Sequence, residues 1–384
     1  MDAHDRVMAC IDDERLVDTL RDLVDAYSPT WAEEPATRVV ASALGRAGVG
    51  YWMQPVPSSP GASRSNLVAE AGDGGAPALL WVGHVDTVPA PDGDEGPPQS
   101  SEDGDLFQGL GASDMKGACA AMIEALRAIR ISGVRLARPL AAAFVVGEEE
   151  YGDGSLALLE EVRAPVTVVG EPSGLVPLTE HLGYVECRLV SEGARAHAAL
   201  PEIGANAIQG MLAWLMASLD ALSGGGPLDA VSINVRNIRG GGEKFVVPDR
   251  CEALLDVHVP PGATADDVIA RIRDARLVLG DRADPEHLSV EASFFAAGFG
   301  TDPADPRIAP LRRAFARNNI PWEPGVFRSH SDAGLFHDRG SATIICGPGA
   351  LEVAHTADEF VSIAEVRAAA RLYASMALDV CGVE

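Results

Sequence analysis

No stretch of about 18 apolar residues occurs in the 384-residue chain, so nothing in it has the length to cross a bilayer as a helix. The first residues, MDAHDRVMACIDDERL, lack the basic-then-apolar order of a secretory signal, which makes a cytoplasmic location the expectation. Positive charge is scarce: 30 Lys and Arg face 56 Asp and Glu, and the net charge of -26 repels nucleic acid and anionic membrane surfaces. The six cysteines (Cys10, Cys119, Cys187, Cys251, Cys346, Cys381) have no paired spacing, which argues against a disulfide framework or a cysteine zinc site and for reduced thiols acting as small core residues. There is no internal repeat.

What remains is an ordinary globular composition, 47% hydrophobic and 22% charged, on a chain too long for one hydrophobic core. Amphipathic patterns at 13–27, 34–48 and 116–129 alternate with short apolar runs at 66–70, 78–83, 139–146 and 166–169, the order expected of a largely parallel α/β sheet. From about residue 178 the pattern becomes strand (183–190), helix (205–222), strands (230–238 and 250–259), helix (264–274) and strand (288–294). That βαββαβ order predicts an inserted ferredoxin-like α+β domain over 178–294, between the two parts (1–177 and 295–384) of a catalytic α/β domain. The first pattern then resumes, with a helix near 307–318, a run at 342–346 and a closing helix at 363–379. Segments 91–105 and 224–227 read as loops.

Acidic and imidazole residues gather where the apolar runs stop. His84 and Asp86 are two positions apart at the end of one run, a spacing that puts both side chains on one side of an extended strand. A neutral imidazole is the commonest metal ligand and a carboxylate commonly holds its second nitrogen, although a lone pair of this kind also suits a solvated turn. Asp114 lies just before a predicted helix, where it could equally serve as an N-cap. Glu148 and Glu149 follow the run ending at Val146, Glu171 follows Val169, and His355 follows the last run. Adjacent glutamates point in different directions, so one can bind a metal while its neighbour faces an activated water. Carboxylates with two histidines and no cysteine suit one or two divalent cations, with zinc the first candidate and cobalt or manganese alternatives. Asp114, with two oxygens, is the natural bridge.

The ordered motifs GHVDTVP (83–89), GLGASDMKG (109–117), GEEE (147–150), GEPSG (170–174), ARAHAALPEIGANAI (194–208) and GPGxxxxAHTADEFV (347–361) resemble those of the dinuclear-metal aminoacylase and carboxypeptidase family, which includes acetylornithine deacetylase, succinyl-diaminopimelate desuccinylase and glutamate carboxypeptidase. The resemblance implies two divalent ions per chain: His84, Asp114 and Glu171 on one, and Asp114, Glu149 and His355 on the other. It implies that Glu148 is the general base, that Asp86 supports His84, and that a cis peptide joins Asp114 to Met115. It makes the inserted domain a dimerisation and lid domain, with His197 completing the partner's site in a homodimer as an oxyanion donor. Asn206 and Gly349, within the motifs, would line the substrate site.

Two positions depart from the relatives' usual pattern: Phe245 where Asn is frequent, and His258 where Arg is frequent. An imidazole does not replace a bidentate guanidinium for carboxylate binding. The substrate therefore either differs from a simple N-acyl α-amino acid or has its carboxylate held by groups such as Lys244, Arg236, Arg239 or Arg328, with His330 a further pocket candidate. The activity expected is hydrolysis of an N-acyl amino acid or related small N-acyl amine. A metallocarboxypeptidase or dipeptidase acting on a short peptide is the alternative, and an inactive scaffold the remote one.

Overall fold

The computed structural model describes residues 1–57, 64–90, 99–223, 232–280 and 283–384. The chain divides into two compact units, one of 1–179, 301–326 and 331–384, the other of 180–300 and 327–330. The expected loop at 224–227, the start of the strand expected at 230–238 and much of the loop expected at 91–105 lie outside the described residues.

The first unit is built on a mixed sheet in the order Gly50–Val56, Arg64–Ala71, Leu140–Val145, Leu79–His84, Val166–Pro172, Ala342–Gly347 and Leu178–His181. The four central strands run parallel, as expected, and among the described residues both flanks pair antiparallel. The flanking strand Gly50–Val56 escapes a reading of periodicity because it is mostly exposed and carries Pro55, as edge strands do. The central strands are buried on both faces, which is why they read as unbroken apolar runs. Leu79 and Trp81 join the main core with the helices Asp13–Asp25, Glu34–Ala47, Gly117–Ser132 and Ile363–Cys381. Their neighbours Leu80 and Val82 are as deeply buried but point to the opposite face. Part of the expected loop is a strand, Ser101–Asp103, which forms a small sheet with Leu106–Gln108 and Phe360–Ser362.

The second unit has strands Gly183–Glu192, Ser232–Gly240, Arg250–Val259 and Leu288–Ala296, with helices Ala207–Leu222 and Ala265–Ala275 between them. The spatial order of the four strands is second, third, first, fourth, all antiparallel, as in a ferredoxin-like sandwich. Its separate core centres on Trp214, whose indole N–H donates to the Ile272 carbonyl at 2.8 Å.

One buried charge ties the start of the chain to the sheet of the first unit. Arg64 bonds Glu33 at 2.6 Å and also Asp153, and its guanidinium lies 4.4 Å from the Trp31 ring centroid. Arg64→Met leaves the Glu33 carboxylate buried without its partner, so it is expected to cost about 3–5 kcal/mol. Urea denaturation measures this, and a loss below about 1 kcal/mol would contradict the assignment.

Candidate metal centre

All four parallel strands deliver a chemically active side chain at their carboxyl ends, where ligands collect on open α/β sheets. His84 is the last residue of its strand and Glu171 lies near the end of another. Glu148 and Glu149 follow Leu140–Val145 across Gly147, and His355 follows Ala342–Gly347. His355 has a left-handed backbone (φ 60), a conformation that non-glycine residues hold chiefly where the surroundings impose it. Asp114 comes from an irregular turn, Ala112–Lys116, ahead of the helix Gly117–Ser132, and its bond to Met115 is cis. That helix comes close because Gly83 has no side chain: a Cβ there would meet the Cys119 sulfur at 2.7 Å.

The two oxygens of Asp114 face two different donor sets. Oδ1 is 3.1 Å from His84 Nε2, which is also 3.9 Å from Glu171 Oε2. Oδ2 is 3.5 Å from His355 Nε2, which in turn is 3.0 Å from Glu149 Oε2. Glu148 Oε2 stands 4.0 Å from His84 Nε2, beyond hydrogen-bond reach. His84, Asp114 and Glu149 form one group able to hold a cation, and His84, Glu148 and Glu171 another. His84, Asp114 and Glu171 are buried, whereas the His355 side chain is 51% exposed.

Asp86 acts on both sides of the centre. The His84 Nδ1 lies 3.0 Å from its main-chain carbonyl and 3.7 Å from its carboxylate. That carboxylate also accepts from the Thr30 hydroxyl (2.9 Å) and from the amides of Glu148 (3.3 Å) and Glu149 (3.1 Å), so it holds the glutamate turn in place.

Crowding of like charges in a dry site governs the titration of these groups. Burial lifts the Glu148 and Glu171 carboxyls well above the usual range, and the neighbouring carboxylates add to it. Burial opposes charge on His84, but its hydrogen bond to Asp114 and the Glu148, Glu171 and Asp86 carboxylates outweigh this and raise it well above an ordinary imidazole. His355 is pushed up to about 9, chiefly by its bond to Glu149. Glu171 Oε1 is buried with no hydrogen-bond donor among the described residues. An unpartnered buried carboxylate oxygen among like charges is costly, and a divalent cation is the partner that this donor set fits.

Of the other residues singled out in the sequence, Gly349 belongs to the first unit, where its carbonyl accepts from Gly174 N and its amide donates to Glu365. The second unit holds His197, Asn206, Lys244, His258, Arg328 and His330. Asn206 caps the helix Ala207–Leu222, accepting from the amides of Ile208 and Gln209. His258 and His330 gather at Tyr184: His330 stacks on it at 4.6 Å between centroids and His258 lies at 5.3 Å. Burial lowers the pKa of His258, and it takes His330 down to about 4 with help from the neighbouring histidines. Lys244, Arg328 and His197 are exposed. Sequence reasoning missed Tyr184 and Asp332. The latter is a buried acid pushed up to about 6 by burial, with Oδ2 lacking a donor. Both are single polar letters whose neighbours come from distant parts of the chain, so no local pattern marks them.

The fold and the site define an α/β metallohydrolase. Residues 80–379 match Peptidase family M20/M25/M40, and the chain belongs to that family. It is similar to acetylornithine deacetylase of Erwinia tasmaniensis, at 28% identity over 86% of each chain. Its fold is similar to that of aminopeptidase PepT from Bacillus cereus (TM-score 0.77, 22% identity, 97% of this chain and 99% of the other). An M20 family metallo-carboxypeptidase from Sulfolobus solfataricus shares it too (TM-score 0.72, 15% identity, 95% and 99%). The protein is a metal-dependent hydrolase of linear amides.

Stripping divalent cations restores the full repulsion among the buried carboxylates. Treatment with a chelator is therefore expected to lower the melting temperature and added metal to restore it, by about 4 kcal/mol of linkage when free metal is a thousandfold above Kd. Differential scanning calorimetry reads the shift; an unchanged transition would count against a metal centre here.

Proposed function

We propose that the protein deacylates an N-acyl amino acid or a related N-acyl amine, with two divalent ions, zinc first among them, held by His84, Asp114 and Glu171 and by Asp114, Glu149 and His355. The observation that carries this reading is the opposed orientation of the two Asp114 oxygens, each toward its own histidine and glutamate. When bound, such ions polarise the amide carbonyl and bring the pKa of water toward neutrality. Glu148 is the carboxylate left for proton transfer. It takes the water's proton and passes it to the leaving amine, a role suited to an acid whose pKa lies well above the usual range.

His197 supplies a donor to the tetrahedral oxyanion from a second copy of the chain, the inserted unit serving as dimerisation and lid domain. Its Nδ1 accepts the Ala199 amide at 3.2 Å, which fixes the tautomer with the proton on Nε2 and leaves an N–H to donate. Comparable donors contribute roughly 10²- to 10³-fold in rate. Asn206 and Gly349 shape the substrate's surroundings.

His258 and His330, both with lowered pKa values, are neutral at pH 7 and do not offer a carboxylate the charge that Arg would. Arg236 is already engaged by Glu186 and Asp256, so of the other cations weighed for this task Lys244, Arg239 and Arg328 have the freer side chains. A substrate carboxylate is therefore bound by Lys244, Arg239 or Arg328, or is absent from that position. Turnover of N-acetylornithine compared with its α-carboxamide separates these: a rate for the amide within about tenfold of the acid, roughly 1.4 kcal/mol, points to absence.

Glu148→Ala is expected to lower kcat by at least about 10²-fold while both metals stay bound. Metal analysis beside the assay decides, because joint loss of metal and activity would make Glu148 a ligand. A rate panel of N-acetyl, N-succinyl and N-glutamyl amines beside dipeptides tests the substrate class, and a preference for dipeptides would overturn deacylation.

A further inference from the structure

The turn that carries Asp114 has little regular structure of its own, yet its amides are closely accounted for by one distant residue. Glu359 Oε1 accepts from the amides of Ser113 (2.9 Å) and Asp114 (3.0 Å), and Oε2 accepts from Gly111 (2.9 Å). The Glu359 main-chain carbonyl takes a fourth, from Gly109 at 3.0 Å. Glu359 is only 2% exposed. Four amides of the 109–114 turn thus end on one residue, and that residue lies four positions after His355.

A second tie joins the same two segments. The Ser113 hydroxyl donates to the Ala350 carbonyl (3.1 Å) and accepts from the Ala350 amide (3.0 Å). The neighbouring Gly349 has φ +91, and a Cβ there would come within 2.3 Å of the Ser113 hydroxyl oxygen. The approach is so close that only glycine fits. The turn holding Asp114 and the segment holding His355 are therefore fastened at both ends, by Ser113 at one and Glu359 at the other.

We infer that Glu359 is a positioning residue that fixes Asp114 Oδ2 against His355, so that these two donors of the second metal position are set as one rigid piece. The inference rests on the metal-centre reading above and adds to it a residue outside the donor set. Its physical basis is geometric. A carboxylate offers acceptor positions to several converging amides at once, and here no other side chain is hydrogen-bonded to the amides of Gly111, Ser113 and Asp114 among the described residues. Glu359→Gln keeps the size but replaces one oxygen by an NH2 donor. That donor must oppose either the Gly111 amide or the Ser113 and Asp114 amides, so at least one bond is lost and the turn is free to drift from His355.

The experiment is a zinc titration of wild type and Glu359→Gln across buffered free-zinc concentrations, with metal per chain measured by mass spectrometry. Wild type is expected to hold two ions, and the variant to lose one of them at free zinc about 10- to 100-fold higher than wild type does, the usual effect of removing a group that orients a ligand. Excess zinc then restores kcat with KM unchanged, while the melting temperature of the metal-free protein stays within about 3 °C of wild type. Two ions retained equally by both proteins would overturn the inference and leave the metal centre standing, as would a loss of thermal stability with unaltered zinc retention. Wild type holding no zinc would instead sink the metal centre itself. Should Glu359→Gln fail to fold, Glu359→Asp, whose shorter side chain cannot reach the Gly111, Ser113 and Asp114 amides together, takes its place, and undiminished zinc retention in that variant overturns the inference.

Discussion

Mutual repulsion of carboxylates in a dry site is the constraint around which the first unit is organised. Asp86, Glu148, Glu149 and Glu171 lie at or just past the ends of parallel strands and Asp114 comes in from the Ala112–Lys116 turn, with His84, itself 1% exposed, among them. Each charge taken from water costs several kcal/mol unless a partner of opposite sign or a set of donors replaces the lost hydration. The sheet cannot satisfy such groups through its ladder, since they lie where the strands end. The replacement comes from turns: amides of the 148–149 turn onto Asp86, amides of the 111–114 turn onto Glu359, and imidazoles onto Asp114 and Glu149.

This explains why so much irregular backbone is packed against so regular a sheet. The strands supply apolar faces that bury completely, and their ends set the spacing between the acidic and imidazole side chains. The turns then rotate individual side chains into place. Gly83 lets the helix Gly117–Ser132 lie against the His84 strand, and the Cys119 thiol donates to the His84 carbonyl at 3.2 Å. Packing of the core and aim of the ligand are here one contact.

The reach of the sequence follows from the same division. His84, Glu148, Glu171 and His355 were legible because each ends or follows an apolar run, and a fully buried strand announces itself in composition. Asp114 was legible only through its motif, for a lone acid before a helix also reads as a cap. The inserted unit was legible in the order of its elements, since buried and half-buried positions alternate along Arg250–Val259. What was hidden depends on pairing over long distances. The antiparallel flanks of the main sheet rest on strands such as Gly50–Val56, whose side chains are mostly exposed and carry no periodic signal. Glu359 sits 245 residues from its nearest partner amide in Asp114, in a polar stretch that composition alone would assign to solvent.

Counting hydrogen-bond donors separates the carboxylates into two kinds of role. Asp86 and Glu359 receive amides on both oxygens, two for the first and three for the second. An oxygen so occupied has little lone-pair density left for a cation, and it holds backbone. Among the described residues Glu171 Oε1 has no hydrogen-bond donor, and Glu148 Oε2 stands beyond hydrogen-bond reach of His84. Such an oxygen is tolerable in a buried site only if a cation or a proton occupies it for part of the working cycle. Asp332 Oδ2 also lacks a donor among the described residues, but Asp332 stands outside both groups around His84 that could hold a cation. Satisfied carboxylates that shape the turns, set beside unsatisfied ones whose oxygens are left for a cation or a proton, suit a hydrolytic metal centre.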